Sequence, residues 1–388
     1  MRNTIRVAAV VAATAMAAGM LASCSQGGGA AVTINVLDVA GNLQLTQEMF
    51  DDYHARNPNI TFVMDKDTAP NLPGKLKAQQ DANNVQIDLV LTGTDALASG
   101  ISQGLYLPIA STYKAQLTNM ANYIEPAAAM QTLAQDQGVV ITYYPSGPLL
   151  EYNPAKVTNP PTTPDELLAW AKANPNKFGY ARPANSGPGR PFLMGLPYIL
   201  GDSDPKDPVN GWSKTWAFLA ELNKYIDQYP TGTGPTMQNL GGGTWDIIAS
   251  TTGWDINPRV LGTVPPDFKV TAFKGFTWVT DAHYAVIPKG VSQAKQDVII
   301  KVINDLLTPA QNAKAYDKGY FYPGPAVKDA TLDKAPKASQ DIINQFGRPE
   351  YADLIANNPT ALPLDAATMV VAYKMWDDQI GAGKYKTS

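Results

Sequence analysis

Two histidines and one cysteine are the only side chains of this 388-residue chain that ordinarily titrate or attack near neutral pH. His54 lies at the polar end of a helical pattern and reads as solvated. His283 lies in an apolar strand pattern and reads as a satisfied core residue. Neither has an announced serine or cysteine partner, so triad-type nucleophilic catalysis has no visible machinery. Any two acids can meet in a fold and hydrolyse a glycosidic bond, so a secreted carbohydrate-active enzyme, a glycosidase, stands as the alternative to binding without reaction.

Residues that bind without reacting are better represented. The stretch ARPANSGPGRPFLMGL, residues 181–196, surrounds a Ser-Gly-Pro-Gly-Arg core and runs into an apolar segment. It lacks the Gly-Lys-Ser/Thr ending of a nucleotide cradle and the Gly-x-Ser-x-Gly of a nucleophile elbow. Gly187 and Gly189 permit close backbone approach, and Arg190 opens a helix-like run. Asn185, Ser186 and the loop amides are candidates to face a solute. A rigid turn with no ligand is the other reading. Further candidates follow apolar strand patterns: Asp38, Gly41 and Asn42 after the first, and Thr92, Thr94 and Asp95 after the third. Free N–H groups at a helix start could donate there to an anion or hydroxyl, or Thr94 or Asp95 could simply cap the helix. Aromatic rings supply apolar walls and attract organic cations. Tyr144, Trp254 with Asp255, Trp278 with Asp281, and Tyr320 are the candidates of this kind.

The elements that must position these groups alternate in type. VTINVLD, ITFVMDK and IDLVLTG read as strands separated by helical patterns, the first with Leu45, Met49, Phe50 and Tyr53 on one face. That rhythm indicates an α/β fold with parallel strands. A second unit begins near GVVITYYP. Thr163, Pro164 and Glu166 carry a helix-start signature there, and KFGYARP reads as a strand. The α/β rhythm returns at HYAVIPKG and SQAKQDVIIKVINDLL, Thr308-Pro309 opens another helix, and AATMVVAYKMWDDQI is the last. Open parallel sheets bind ligands at loops beyond the carboxyl ends of their strands, where several candidates fall.

Length suggests two domains, and 45% hydrophobic residues suffice for packed cores. The 30 basic side chains are outnumbered by 34 acidic ones, and no Lys/Arg run appears, which argues against nucleic-acid partners. At the start, MRNTIR is basic and VAAVVAATAMAAGM has the length of a signal-peptide core, short for a membrane span. Leu21-Ala22-Ser23-Cys24 resembles the lipobox of bacterial lipoproteins. By that resemblance residues 1–23 are a signal peptide, Cys24 is acylated, and residues 24–31 are a lipidated tether.

The segments LVLTGTDALASGISQGLYLPI, LLEYNPAKVTNPPTTPDELLAWA and AVIPKGVSQAKQDVIIKVINDLLTPAQNAKAYDKGYFYPG resemble extracellular solute-binding proteins of ABC importers. ARPANSGPGR and IIASTTGWDINPR are similar to the YnjB-type branch of that group. The resemblance implies a two-lobed, type II periplasmic-binding-protein-like fold with two mixed, mostly parallel sheets and a central cleft. One lobe would comprise 31–137 plus 282–330, the other 138–281 plus 331–388. It implies a monomeric receptor, anchored outside the membrane by lipid, that hands its guest to a membrane permease with no cofactor or metal. Tyr143-Tyr144 is similar to the paired tyrosines of ferric-iron binders, but it ends a strand earlier in the chain than in those proteins. The guest would be a sugar or polyol, an organic cation such as thiamine or a polyamine, or a small anion. The tryptophans and acids favour the first two, and the Ser-Gly-Pro-Gly-Arg loop favours the third.

Overall fold

The computed structural model describes residues 30–385. The signal-peptide and Cys24 expectations lie outside the described residues. Strand β1 (Val32–Asp38) opens the chain, alternating at first and buried by its end. It leads into α1 (Leu43–Arg56), which buries Leu45, Met49, Phe50 and Tyr53 and stops at Asn57 before Pro58. Then come β2 (Ile60–Lys66), α2 (Leu72–Asp81), β3 (Leu89–Thr92) and α3 (Thr94–Ser102). Strand β4 (Val139–Gly147) passes across Pro148 into β5 (Leu149–Tyr152). Helix α4 (Pro164–Ala173) starts as its sequence requires: the Thr163 hydroxyl accepts the Glu166 N–H, while the Glu166 carboxylate takes the N–H of Thr162. β6 (Phe178–Gly179), α5 (Gly189–Leu200), α6 (Thr233–Gly241), β7 (Ile247–Ser250) and β8 (Lys269–Thr271) complete the middle of the chain. β9 (Trp278–Val286), α7 (Gln293–Leu306), β10 (Gly324–Pro325), β11 (Thr360–Ala361) and α8 (Ala366–Trp376) follow.

Two sheets result. The larger runs β10-β4-β9-β3-β1-β2, with β11 beside the start of β9, and the smaller runs β6-β7-β5-β8. β1 pairs in parallel with β2 and β3. β9 lies antiparallel to both β3 and β4, and β5 is antiparallel to β7 and β8 while β6 runs parallel to β7, so both sheets are mixed. Neither is mostly parallel as the sequence led us to expect, because β4 and β9 cross back through the larger one. One core takes in apolar residues of 34–144 and 282–330; the other takes in 149–279 and 351–380, joined by Ala98 of α3. α7 packs Ile299, Val302, Ile303 and Leu306 into the first core, each worth roughly 1.5–3 kcal/mol of burial. The architecture is the two-lobed periplasmic-binding-protein-like fold, and β4 and β9, buried along their whole length, carry the chain between its halves.

Register places the functional loops. Asp38 stands opposite Leu91, so the loops after β1 and β3 leave the same edge side by side. Thr92 faces Tyr284, and Tyr144 faces Asp281, which brings β4 and β9 level with that edge. Three expectations differ in extent. KFGYARP forms only the two-residue β6, because Arg182 and Pro183 already turn into a short helical bend. β9 begins at Trp278 rather than His283, because its first residues pair with β11. The helix opened by Thr308 ends after Asn312 and becomes a tighter turn through Gly319, broken by non-helical backbone at Asp317 and Lys318.

Candidate functional site

A cavity of about 210 Å³ lies where the β1 and β3 loops of the larger sheet meet the start of α5 and the start of α6. Asp38 builds its floor without touching it. Its buried carboxylate accepts the N–H groups of Ala40, Asn42 and Leu43, at 3.0, 3.0 and 2.9 Å, and so folds the loop and caps α1. Burial pushes the Asp38 pKa up, against those hydrogen bonds. The loop presents Gly41 at φ +73°, and a Cβ there would overlap the Tyr320 hydroxyl.

Arg190, in the first turn of α5, crosses to the other half of the molecule. Its Nη2 lies 3.2 Å from Asp281 Oδ2, its Nη1 donates to the Thr94 hydroxyl, and Asp95 Oδ1 is 3.8 Å away. Asp281 is fully engaged: it also accepts from Thr94 Oγ1 at 3.0 Å, Tyr144 Oη at 2.8 Å and the Ala282 N–H at 2.9 Å. Burial opposes the Arg190 charge, but Asp281 and Asp95 outweigh it and hold the guanidinium protonated. Burial raises the Asp95 pKa, with Arg190 pulling it back. Burial also lowers His283 to about 4, so its ring is neutral at pH 7.

The facing wall comes from the stretch between β6 and β7. Ser186 caps α5 by accepting the Gly189 N–H at 3.1 Å, and its Oγ lies 2.9 Å from Thr233 Oγ1. Asn185 Nδ2 donates to the Thr231 carbonyl at 2.7 Å, tying the two loops together. α6 follows Gly232 at its N-cap position, with no side-chain cap, and Gly232, Thr233 and Gly234 all line the cavity. Trp254, Tyr320 and Phe321 complete the wall, with the first two rings edge-on at 5.3 Å.

Of the sequence candidates, Gly41, Asp95, Tyr144, Asn185, Ser186, Gly187, Arg190, Trp254 and Tyr320 meet at the cavity. Thr94 and Asp281 stand one layer back and hold Arg190. Others go elsewhere. Asp255 is fully buried and bound to Arg348 Nε at 2.7 Å and to the Gly253 N–H, so its charge is already matched inside the smaller lobe. Trp278 is buried in the second core and donates to the Leu354 carbonyl. Asn42 accepts from the Thr46 hydroxyl, and the Thr92 hydroxyl donates to Gly93 O; neither lines the cavity. Gly189 serves packing, since a Cβ would strike the Ala181 carbonyl.

His283 corrects the reading of a satisfied core histidine: it is 2% exposed, yet it lines the cavity with Nδ1 unpartnered. The Gly232–Gly234 turn and Phe321 were missed. A turn signal, TGTGP, was present at 231–235, but nothing in it names the loop it packs against. Among the described residues Asp95 is the one acid lining the cavity, so the paired carboxylates of glycoside hydrolysis do not meet there.

The same two-lobed fold occurs in known proteins. An ABC transporter substrate-binding protein of Bradyrhizobium japonicum USDA 110 is similar in structure, with a TM-score of 0.63 at 19% identity over 90% of this chain and 99% of the other. An ABC transporter of Clostridium perfringens ATCC 13124 gives 0.63 at 13% identity, over 89% and 98%. The PBP MotA of A. tumefaciens B6, in complex with glucopine, gives 0.61 at 15% identity, over 90% and 99%. No curated protein matches the sequence. Residues 48–344 match the family described as bacterial extracellular solute-binding protein. With that match spanning most of the chain, the protein belongs to the bacterial extracellular solute-binding family.

Proposed function

We propose that this protein is the receptor of an ABC importer, anchored outside the membrane through an acylated Cys24, which closes on one small polar solute and passes it unchanged to a permease. The observation that carries the reading is the cavity itself. Its walls come from loops of both sheets, and Arg190 of α5, which lines it, bonds to Thr94 of α3 in the other half and to Asp281 on the crossing strand β9. Two halves that share one buried ion-pair cluster around a void are arranged to shut on a guest by hinge bending. In this reading one lobe comprises 31–137 plus 282–330 and the other 138–281 plus 331–388, with β4 and β9 as the crossing strands. At about 210 Å³ the cavity is below the ~300–1,000 Å³ of drug-sized sites, so the guest is small.

The test is ligand-dependent melting. A cognate solute raises the melting temperature as RT ln(1 + [L]/Kd) predicts and is recovered intact. Trp254→Ala weakens that solute, because the ring closes one side of the cavity. A solute that is consumed, or one whose affinity ignores Trp254, refutes the reading. Anchoring is tested separately: Cys24→Ser releases the protein from the membrane fraction and abolishes palmitate labelling.

A further inference from the structure

The cavity is polarised, and the arrangement of its charges narrows the guest. On one wall stands Asp95, the only acid lining the cavity among the described residues. The Ala96 N–H and Arg190 both address its Oδ1, and among the described residues none donates to its Oδ2. Donors line the rest of the cavity. α6 has Gly232 at its N-cap position with no side-chain cap, and Thr233 and Gly234, the first-turn residues that keep an N–H ahead of Pro235, line the cavity. A helix N-terminus of this kind carries a partial positive charge and free N–H groups. Two nearly buried side chains lining the same space hold polar atoms without partners: Nε of Arg190, 5% exposed, and Nδ1 of His283, 2% exposed. The buried Trp254 Nε1 is a third such atom, close against Gly187. Buried polar groups are ordinarily paired, so polar atoms left open around one void mark what the void receives.

Single-charge guests fit poorly. An anion alone fills the donor wall but leaves Asp95 facing like charge. A diamine satisfies Asp95 and sets its second ammonium against N–H groups that cannot accept from it. A neutral sugar matches neither charge. Resting on the receptor reading, we propose that the guest is a small zwitterion. Its carboxylate or phosphonate is received by the α6 N-terminus with Trp254 and Arg190, and its protonated amine by Asp95. The aromatic faces of Trp254 and Tyr320 add a favourable surface for the amine end.

The experiment measures binding by calorimetry and thermal shift on the protein. The probes are β-alanine, 4-aminobutyrate and 2-aminoethylphosphonate, set against propionate, butyrate, propylamine, putrescine, inorganic phosphate, thiamine and maltose. At least one zwitterion binds about tenfold or more tighter than each of its single-charge truncations. Asp95→Asn collapses the gap between that zwitterion and its acid truncation. Gly234→Asp sets a carboxylate at the start of α6, where a Cβ meets no atom within 4 Å, and weakens the zwitterion and the acid together. Because that position is open, this variant keeps its fold even if Asp95→Asn does not. Putrescine, thiamine, phosphate or maltose binding more tightly than every zwitterion overturns the proposal and leaves the receptor reading intact. Silence from all three zwitterions also counts against it. Depletion of any probe instead overturns the receptor reading.

Discussion

Arg190→Met is the sharpest test of the cluster at the cavity. In the native protein the guanidinium meets Asp281 at 3.2 Å and Asp95 at 3.8 Å and donates to Thr94, with its side chain 6% exposed. Removing one partner of a buried ion pair costs ~3–5 kcal/mol, because the other charge stays buried without compensation. Asp281 keeps three donors, from Thr94, Tyr144 and Ala282, so the loss falls near the lower end, ~3 kcal/mol at pH 7. Urea denaturation measures it. Adding Asp281→Asn removes the stranded charge and returns ~1–2 kcal/mol of the loss. The pH arm has a defined sign. Burial raises Asp95 and Arg190 opposes that, so losing Arg190 raises Asp95 further. A carboxyl with its folded pKa above its unfolded value binds more protons when folded, so between the two values stability falls as pH rises. The deficit of Arg190→Met therefore shrinks on acidification. A loss under ~1 kcal/mol, a second substitution that adds damage, or a deficit that grows in acid would refute the reasoning.

Gly41→Ala forces φ +73° on a residue with a Cβ and drives it into Tyr320, costing ~1–3 kcal/mol in thermal denaturation and weakening solute binding; a neutral result would mean the loop is not held as described. Glu151 is fully buried with Oε1 unpartnered, and burial, reinforced by Asp255, pushes it up to about 8. Its folded pKa exceeds its unfolded one, so the protein loses stability as pH rises from about 4.5 to about 8, by an amount on the order of a few kcal/mol. Glu151→Gln flattens that slope; parallel pH curves for the two proteins would dismiss the assignment. Asp255→Asn loosens the bond to Arg348 and lowers the urea midpoint, while the solute Kd stays unchanged because Asp255 does not reach the cavity.

Much of the fold was legible because its elements carry local signatures. The apolar spacing of α1 and α7 and the capping residues of α4 are statements about neighbours in sequence, and they survive intact. What failed was long-range. β6 is short because the chain turns at Arg182 and Pro183, and β9 starts early because β11, far along the chain, comes to pair with it. No periodicity within a window reports a partner from another region. The same limit hid Gly232–Gly234: that turn matters through Asn185 and Ser186, which bond to Thr231 and Thr233 from a loop of their own.

The candidate site shows the limit in its most compact form. Asp38 and Asp95 look alike in sequence, each an acid between an apolar strand and a helix, at the edge where ligands bind. Their fates are opposite. Asp38 spends both oxygens on three backbone N–H groups ahead of α1, which neutralises that helix start and turns the carboxylate away from the void. Asp95 sits inside the first turn of α3, takes one local N–H and shares a distant arginine, so it still faces the cavity. One acid builds the loop and the other can meet a guest. The difference is decided by which donors each finds first, and for Asp95 the decisive donor is Arg190, from the opposite half of the molecule. Sequence can nominate both. Only the hydrogen-bond inventory of the folded chain separates the acid already satisfied from the one still able to bind.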